Sequence, residues 1–226
     1  MKSVTDLNDS QHHARNHMAD IYRRKSVFYL RLKRFGDIVL SGTALICLSP
    51  LFLVTAAAIM LEDGGSPFFL QDRFGKNMKP FRLYKFRSMY VGADKKLAEL
   101  LKDNEQSGCA FKIKEDPRIT KVGKIIRRFS IDELPQLINI IKGDMSIVGP
   151  RPIPTNQMES ISDYEKQRQI VQPGLTCYWQ IQGRSRIPWE EWVELDLDYI
   201  ENMGLWTDIK MIAKTIPAIF KGEGAY

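Results

Sequence analysis

Cysteine is scarce in this chain of 226 residues. The three present, Cys47, Cys109 and Cys177, lie far apart and are odd in number. They form neither a zinc-binding spacing nor a disulfide framework, which points to a reducing compartment. Histidine is equally scarce. His12, His13 and His17 fall within the first 17 residues, and their spacing suits no metal. That stretch is polar and shows no apolar period, so a disordered tail is expected over residues 1–25. Internal repeats, low-complexity segments and nucleic-acid-binding motifs are absent. Charge is absent from one long run, Ile38 to Leu61.

What is present is an ordinary globular balance, 44% hydrophobic and 27% charged, with a formal net charge of +6 and a pI near 9.2. A basic balance suits nucleic acid, an anionic membrane surface or phosphorylated substrates without choosing among them. The length allows one domain with a real core and an appendage.

The uncharged run would be roughly 36 Å long as a straight helix, against a hydrocarbon core of about 30 Å. It is expected to be a membrane segment, and not a cleaved signal peptide, since some 37 residues precede it. Ser49-Pro50 stands at its midpoint. Proline removes a helical hydrogen bond and clashes with the carbonyl four residues back, and serine can satisfy the freed group. Arginines and lysines flank the run on both sides (Arg23, Arg24, Lys25, Arg31, Lys33 and Arg34 before; Arg73, Lys76, Lys79, Arg82, Lys85 and Arg87 after). Positive flanks tend to stay in the cytoplasm. A helix–break–helix that enters and leaves by one face meets both demands; a kinked single-pass helix is the competing reading.

Further on, Phe68 to Leu70 and Phe81 to Arg87 flank a turn with Gly75, Asn77 and Pro80, the pattern of a strand pair. Lys85 and Arg87 would then share a face as a phosphate clamp, or else be a solvated strand edge. Ala93 to Lys102 reads as a short helix. Thr120 caps a helix running to about Arg128.

Asp132 and Glu133 follow, adjacent carboxylates at a helix start. Ser130 to Glu133 fits a capping box. Leu134, Leu137, Ile138 and Ile141 form a core-facing stripe, and Lys142-Gly143 closes the helix. Pro135 fits more easily if the cap is Asp132. Capping accounts for one carboxylate and one arginine. It does not account for Arg127 before the pair together with Arg151 after it, held between Pro150 and Pro152 as a stiff guanidinium aimed at a planar anion. Asp196 and Asp198 resemble a metal-binding Asp-x-Asp, but in a helix they diverge, and a solvated face is expected. Leu205 to Phe220, with Trp206, Ile209, Ile212, Ile216 and Phe220, reads as an amphipathic helix for the membrane interface or for the core.

The ordered strings Asp132-Glu133-Leu134-Pro135-Gln136, Gly143-Asp144-Met145-Ser146 and Gly149-Pro150-Arg151-Pro152 resemble the bacterial sugar transferase family, the monotopic polyprenyl-phosphate phosphoglycosyl transferases. The resemblance extends through Lys85 to Met89, Asp116 to Gly123, Pro173 to Thr176, Trp179-Gln180, Gly183-Arg184 and Trp189 to Glu191, covering Arg31 to the C-terminus in a minimal form.

It implies an α+β, mainly helical fold. An N-terminal re-entrant membrane helix broken at Ser49 and Pro50 (residues 26–63) would carry a small cytoplasmic catalytic domain (64–226) with a short β-hairpin and amphipathic interfacial helices. The location would be the bacterial inner membrane, facing the cytoplasm. The implied reaction moves a sugar-1-phosphate from a UDP-sugar to undecaprenyl phosphate and releases UMP, with Asp132 as the nucleophile and Mg2+ required. Asp132 and Glu133 would bind the metal. Lys85, Arg87, Arg127 and Arg151 would bind phosphate oxygens, and Arg184 would contact the nucleotide sugar. The ending Gly222 to Tyr226 resembles those of hexose-1-phosphate members and favours galactose or glucose. A homodimer is left open. Two other readings remain: a membrane-anchored basic binding module without chemistry, and a metal-dependent glycosyltransferase using Asp196 and Asp198, which would release UDP.

Overall fold

The structure, a computed structural model, describes residues 17–93, 116–182 and 187–221. The expected helix from Ala93 to Lys102, Cys109, Arg184 and the ending from Gly222 fall almost wholly outside these residues. The architecture is mainly helical with two small sheets. Helix α1 (17–23) corrects the expected tail at its end. Met18, Ile21 and Tyr22 recur at one helical face, and Met18 is buried in the main core.

Helices α2 (Val27–Cys47) and α3 (Ser49–Asp63) carry the uncharged run and meet at an angle of 61°. No single helix among the described residues is long and apolar enough to cross a membrane. The break lies where the residues require it. Pro50 cannot donate to the carbonyl of Ile46, and the Ser49 hydroxyl donates to that carbonyl at 2.8 Å instead.

The two helices enclose a hairpin of β1 (Phe68–Phe74) and β2 (Pro80–Phe86). Alternation along β2 sends Leu83 and Phe86 to opposite faces. Leu83 packs in a cluster with Ile140 that includes Ala44 and Leu45 of α2, while Phe86 packs against Phe52 and Ile59 of α3. The Phe52 and Phe86 rings meet edge-on at 5.2 Å. The bend therefore wraps the hairpin.

Helix α4 (Lys121–Arg128) is capped as expected, the Thr120 hydroxyl accepting from Gly123 N–H at 2.8 Å. Its first amides also donate to the Glu62 carboxylate at the end of α3, at 2.7 and 3.1 Å. Helix α5 (Gln136–Lys142) ends at Gly143 in the left-handed region (φ 92), with Lys142 in the last turn. Its buried face is Gln136, Leu137, Asn139 and Ile140, whereas Ile138 and Ile141 are exposed. The expected stripe is thus only half right, because α5 begins later than expected and the side of β2 it covers has backbone to satisfy. The Asn139 amide does this, accepting from Tyr84 N–H at 3.0 Å and donating to Arg82 C=O at 2.8 Å. It stands in for a missing neighbour strand.

Strand β4 (Ile153–Pro154) pairs with β1, and β3 (Ser146–Val148) runs parallel to β5 (Gly174–Thr176). Helices α6 (Asp163–Lys166), α7 (Tyr178–Gln182), α8 (Trp189–Asn202) and α9 (Leu205–Lys221) complete the domain. The core gathers Val148, Val193, Leu197, Ile200, Met203 and Met211. Polar groups of α2 dock this body: Lys33 pairs with Asp208 at 2.8 Å, Arg34 donates to the Ile140 and Ile141 carbonyls, and Asp37 accepts from Ile147 N–H at 2.9 Å. The outward faces are apolar. Phe28, Phe35, Ile46, Leu53 and Leu61 are exposed, as are Trp206, Ile209, Ile216 and Phe220 of α9; Ile212 packs inward instead.

Candidate active site

The carboxylate pair sits between α4 and α5 on a 3-10 turn, Ile131–Glu133. Ser130 before it is left-handed (φ 56) and makes no capping hydrogen bond, and the N-cap of α5 is Pro135. Both expected caps are therefore corrected, the Ser130 capping box and Asp132 alike. Glu133 does not turn back to a backbone amide, because two cations hold it. Its carboxylate accepts from Lys85 Nζ at 3.3 Å and from both Arg151 Nη atoms, one of them at 3.4 Å. Charge-assisted, two-pronged contacts of this kind outweigh a single amide. Gln180 Nε2 of α7 adds a contact at 3.5 Å.

Arg151 is fixed from behind. Its own carbonyl accepts from Gln169 at 3.0 Å and Arg168 at 3.5 Å, and the Pro152 carbonyl accepts from Arg73 Nη1 at 2.8 Å. The loop before it runs against β5. A Cβ on Gly174 would stand 2.1 Å from Gly149 N, so this crossing requires glycine. Trp179 packs under the Arg151 guanidinium, 5.5 Å away.

Asp132 differs from its neighbour. The charges acting on it are those of Glu133, Lys85, Arg127 and Arg151, with no hydrogen bond to its carboxylate from any described residue. Burial, with the Glu133 charge beside it, pushes the Asp132 carboxyl up to about 6. Glu133 is also desolvated, but Arg151 and Lys85 hold it well below the usual carboxylate range. Burial lowers Lys85, opposed by Glu133, and brings Arg73 down to about 9, with the Arg151 charge adding to the effect.

The structure thus gathers Lys85, Arg127, Asp132, Glu133 and Arg151. It also brings in Arg73 and Gln180, which the sequence reading left out of the site. Arg73 had a usable signal, since it lies on the same hairpin face as Lys85. Gln180 had none beyond its place in the family resemblance. Arg87 turns elsewhere, pairing with Asp63 at 2.5 Å. Asp196 is not on a solvated face. It is fully buried and ion-paired with Arg168, while Asp198 is exposed and accepts from Asn202, so the two share no ion. Among the described residues no three His, Cys, Asp or Glu side chains converge.

Four cations, Lys85, Arg73, Arg127 and Arg151, thus act on two carboxylates. Such a site has room for an anion with more than one negative charge. The sequence profile of the bacterial sugar transferases matches residues 28–222, and the chain belongs to that family. It is 44% identical over 200 residues to the galactosyl transferase CpsE of Streptococcus agalactiae serotype III, covering 87% of this chain and 44% of CpsE. It is 41% identical over 198 residues to the exopolysaccharide production protein ExoY of Sinorhizobium fredii, covering 86% and 88%. It is 40% identical over 211 residues to the undecaprenyl-phosphate galactose phosphotransferase of Salmonella typhimurium, covering 92% and 44%. The chain thus spans less than half the length of the first and third of these, and most of ExoY.

Proposed function

We propose that this protein transfers a sugar-1-phosphate from a UDP-sugar to undecaprenyl phosphate, an opening step of polysaccharide synthesis. The observation that carries this reading is Asp132: a carboxylate that accepts no hydrogen bond from any described residue, next to one locked by two cations, in a surplus of positive charge. In the first displacement an Asp132 oxygen forms a bond to the sugar-bearing phosphorus, the bridging P–O bond breaks, and UMP leaves with the electron pair. In the second, an oxygen of the lipid phosphate forms the new P–O bond and Asp132 departs. Anion–anion repulsion is the obstacle to both steps, and the fixed guanidinium and ammonium groups lower it. Glu133 stays ionised and orients Lys85 and Arg151 rather than carrying protons.

Magnesium fits this site as it fits other phosphate-transfer sites, through one or two carboxylates plus substrate oxygens. Asp132, whose oxygens accept no hydrogen bond from any described residue, and Glu133 would hold it; bound there, it would neutralise phosphate charge. The bent pair α2–α3, with apolar outward faces and basic flanks, supports a re-entrant segment on the cytoplasmic face of the bacterial membrane. Galactose or glucose is the proposed sugar.

The test is release of UMP from a panel of UDP-sugars with undecaprenyl phosphate and Mg2+, with covalent labelling by a sugar-labelled donor. UMP and a label that Asp132→Asn abolishes are expected; UDP release, or a labelled and active Asp132→Asn protein, would refute the reading. For topology, cysteines at the exposed positions Arg24 and Ser66, in a chain lacking Cys47 and Cys109, should react from one face only; reaction from opposite faces would mean a spanning helix.

A further inference from the structure

Beside the carboxylate pair runs a groove of about 160 Å3 between α9 and the turn carrying Glu133. One end is polar, with Glu133 and Gln180. The walls are apolar: Leu134, Ile147, Leu175, Ile212 and Ile219. The threonine hydroxyls in the wall are used up internally, Thr176 and Thr215 bonding each other at 2.7 Å and Thr215 donating to the Met211 carbonyl. The rim is Ile216, 56% exposed, and one turn on lies Phe220, 75% exposed. The groove therefore leads from the cation-held carboxylate to the exposed apolar face of α9.

This shape selects its occupant. A sugar or nucleoside would leave hydroxyls unpaired against such walls, a cost of a few kcal/mol each. The volume lies below the roughly 300 Å3 of a pocket that encloses a whole small ligand, so it suits a segment of a longer chain. The ligand it matches has an apolar tail leaving along α9 and an anionic head beyond the groove's Glu133 end, where Lys85 and Arg151 hold that carboxylate. We propose that the groove holds the first isoprene units of the polyprenyl phosphate acceptor, so that α9 aligns the lipid phosphate with Asp132. This rests on the lipid-acceptor reading above.

The test uses the full chain in nanodiscs and a polyprenyl phosphate bearing a diazirine in its first isoprene unit. Crosslinks are expected at Leu175 and within residues 212–219, competed by undecaprenyl phosphate and not by phosphatidic acid. Ile219→Trp should cut the crosslink yield about tenfold and raise KM for undecaprenyl phosphate to match, leaving Asp132 labelling by the UDP-sugar unchanged. Ile212→Ala should spare the same donor labelling while weakening the lipid step. Crosslinks confined to Val27–Asp63, equal competition by phosphatidic acid, or a parallel loss of donor labelling in Ile219→Trp would each overturn the proposal. Groove crosslinks in a protein that forms no UMP from any UDP-sugar would refute the reaction and uphold the groove.

Discussion

Two guanidinium–carboxylate pairs lie close together in this protein, and only one belongs to the candidate site. Arg168 and Asp196 are both almost wholly buried and neutralise each other one to one. Arg151 and Glu133 keep part of their surface, share Lys85, and have a second carboxylate alongside in Asp132. The first pair leaves no net charge for a ligand and braces the loop through the Arg151 carbonyl. The second leaves a surplus of cations around a carboxylate that accepts no hydrogen bond from any described residue. What separates a brace from a site is therefore not ion pairing but unbalanced charge that remains open to solvent.

The largest expected effect sets the two apart directly. Asp132→Asn should lower turnover by at least about 10³-fold, measured as UMP release, because it removes the proposed nucleophile. Its thermal unfolding should barely move. Arg168→Ala should do the reverse, costing about 3–5 kcal/mol in chemical denaturation by stranding the buried Asp196 charge. The double change Arg168→Met with Asp196→Leu should recover most of that stability; a double variant as unstable as Arg168→Ala would mean the charges themselves are needed. Arg151→Lys comes next. It keeps the charge and loses the two-pronged grip, so a fall in kcat of about 10²-fold is expected. The smallest effect is in pH. Asp132 is raised, so its carboxylate is protonated as pH falls; kcat/KM of the free enzyme should decline about tenfold per unit below about 6. A profile flat down to pH 4 would show that the cations prevail over burial at Asp132.

Much of this was legible in the sequence. The break at Ser49-Pro50, the hairpin, the Thr120 cap and the Gly143 stop all follow from rules that act over a few residues, and each stands where expected. The grouping of Asp132 and Glu133 with Arg127, Arg151 and Lys85 was also legible, because motif strings mark all but Arg127, which stands just before the pair. The capping box failed for a reason no local rule contains: Lys85 and Arg151, distant in the chain, outbid the nearby amide for Glu133. Arg87 and Asp196 were misplaced in the same way, each captured by one long-range partner, Asp63 and Arg168.

The sequence by itself determined the hairpin, helix α4 and its cap, the stop of α5 and the place of the helix break, since propensity, proline geometry and periodicity operate locally. Only the tertiary structure decided how far α2 and α3 bend, which carboxylate is locked by cations and which accepts no hydrogen bond from the described residues, and where an apolar groove meets them. Those outcomes depend on burial and on charges brought together from residues 73 to 180, and burial and distance exist only once the chain has folded.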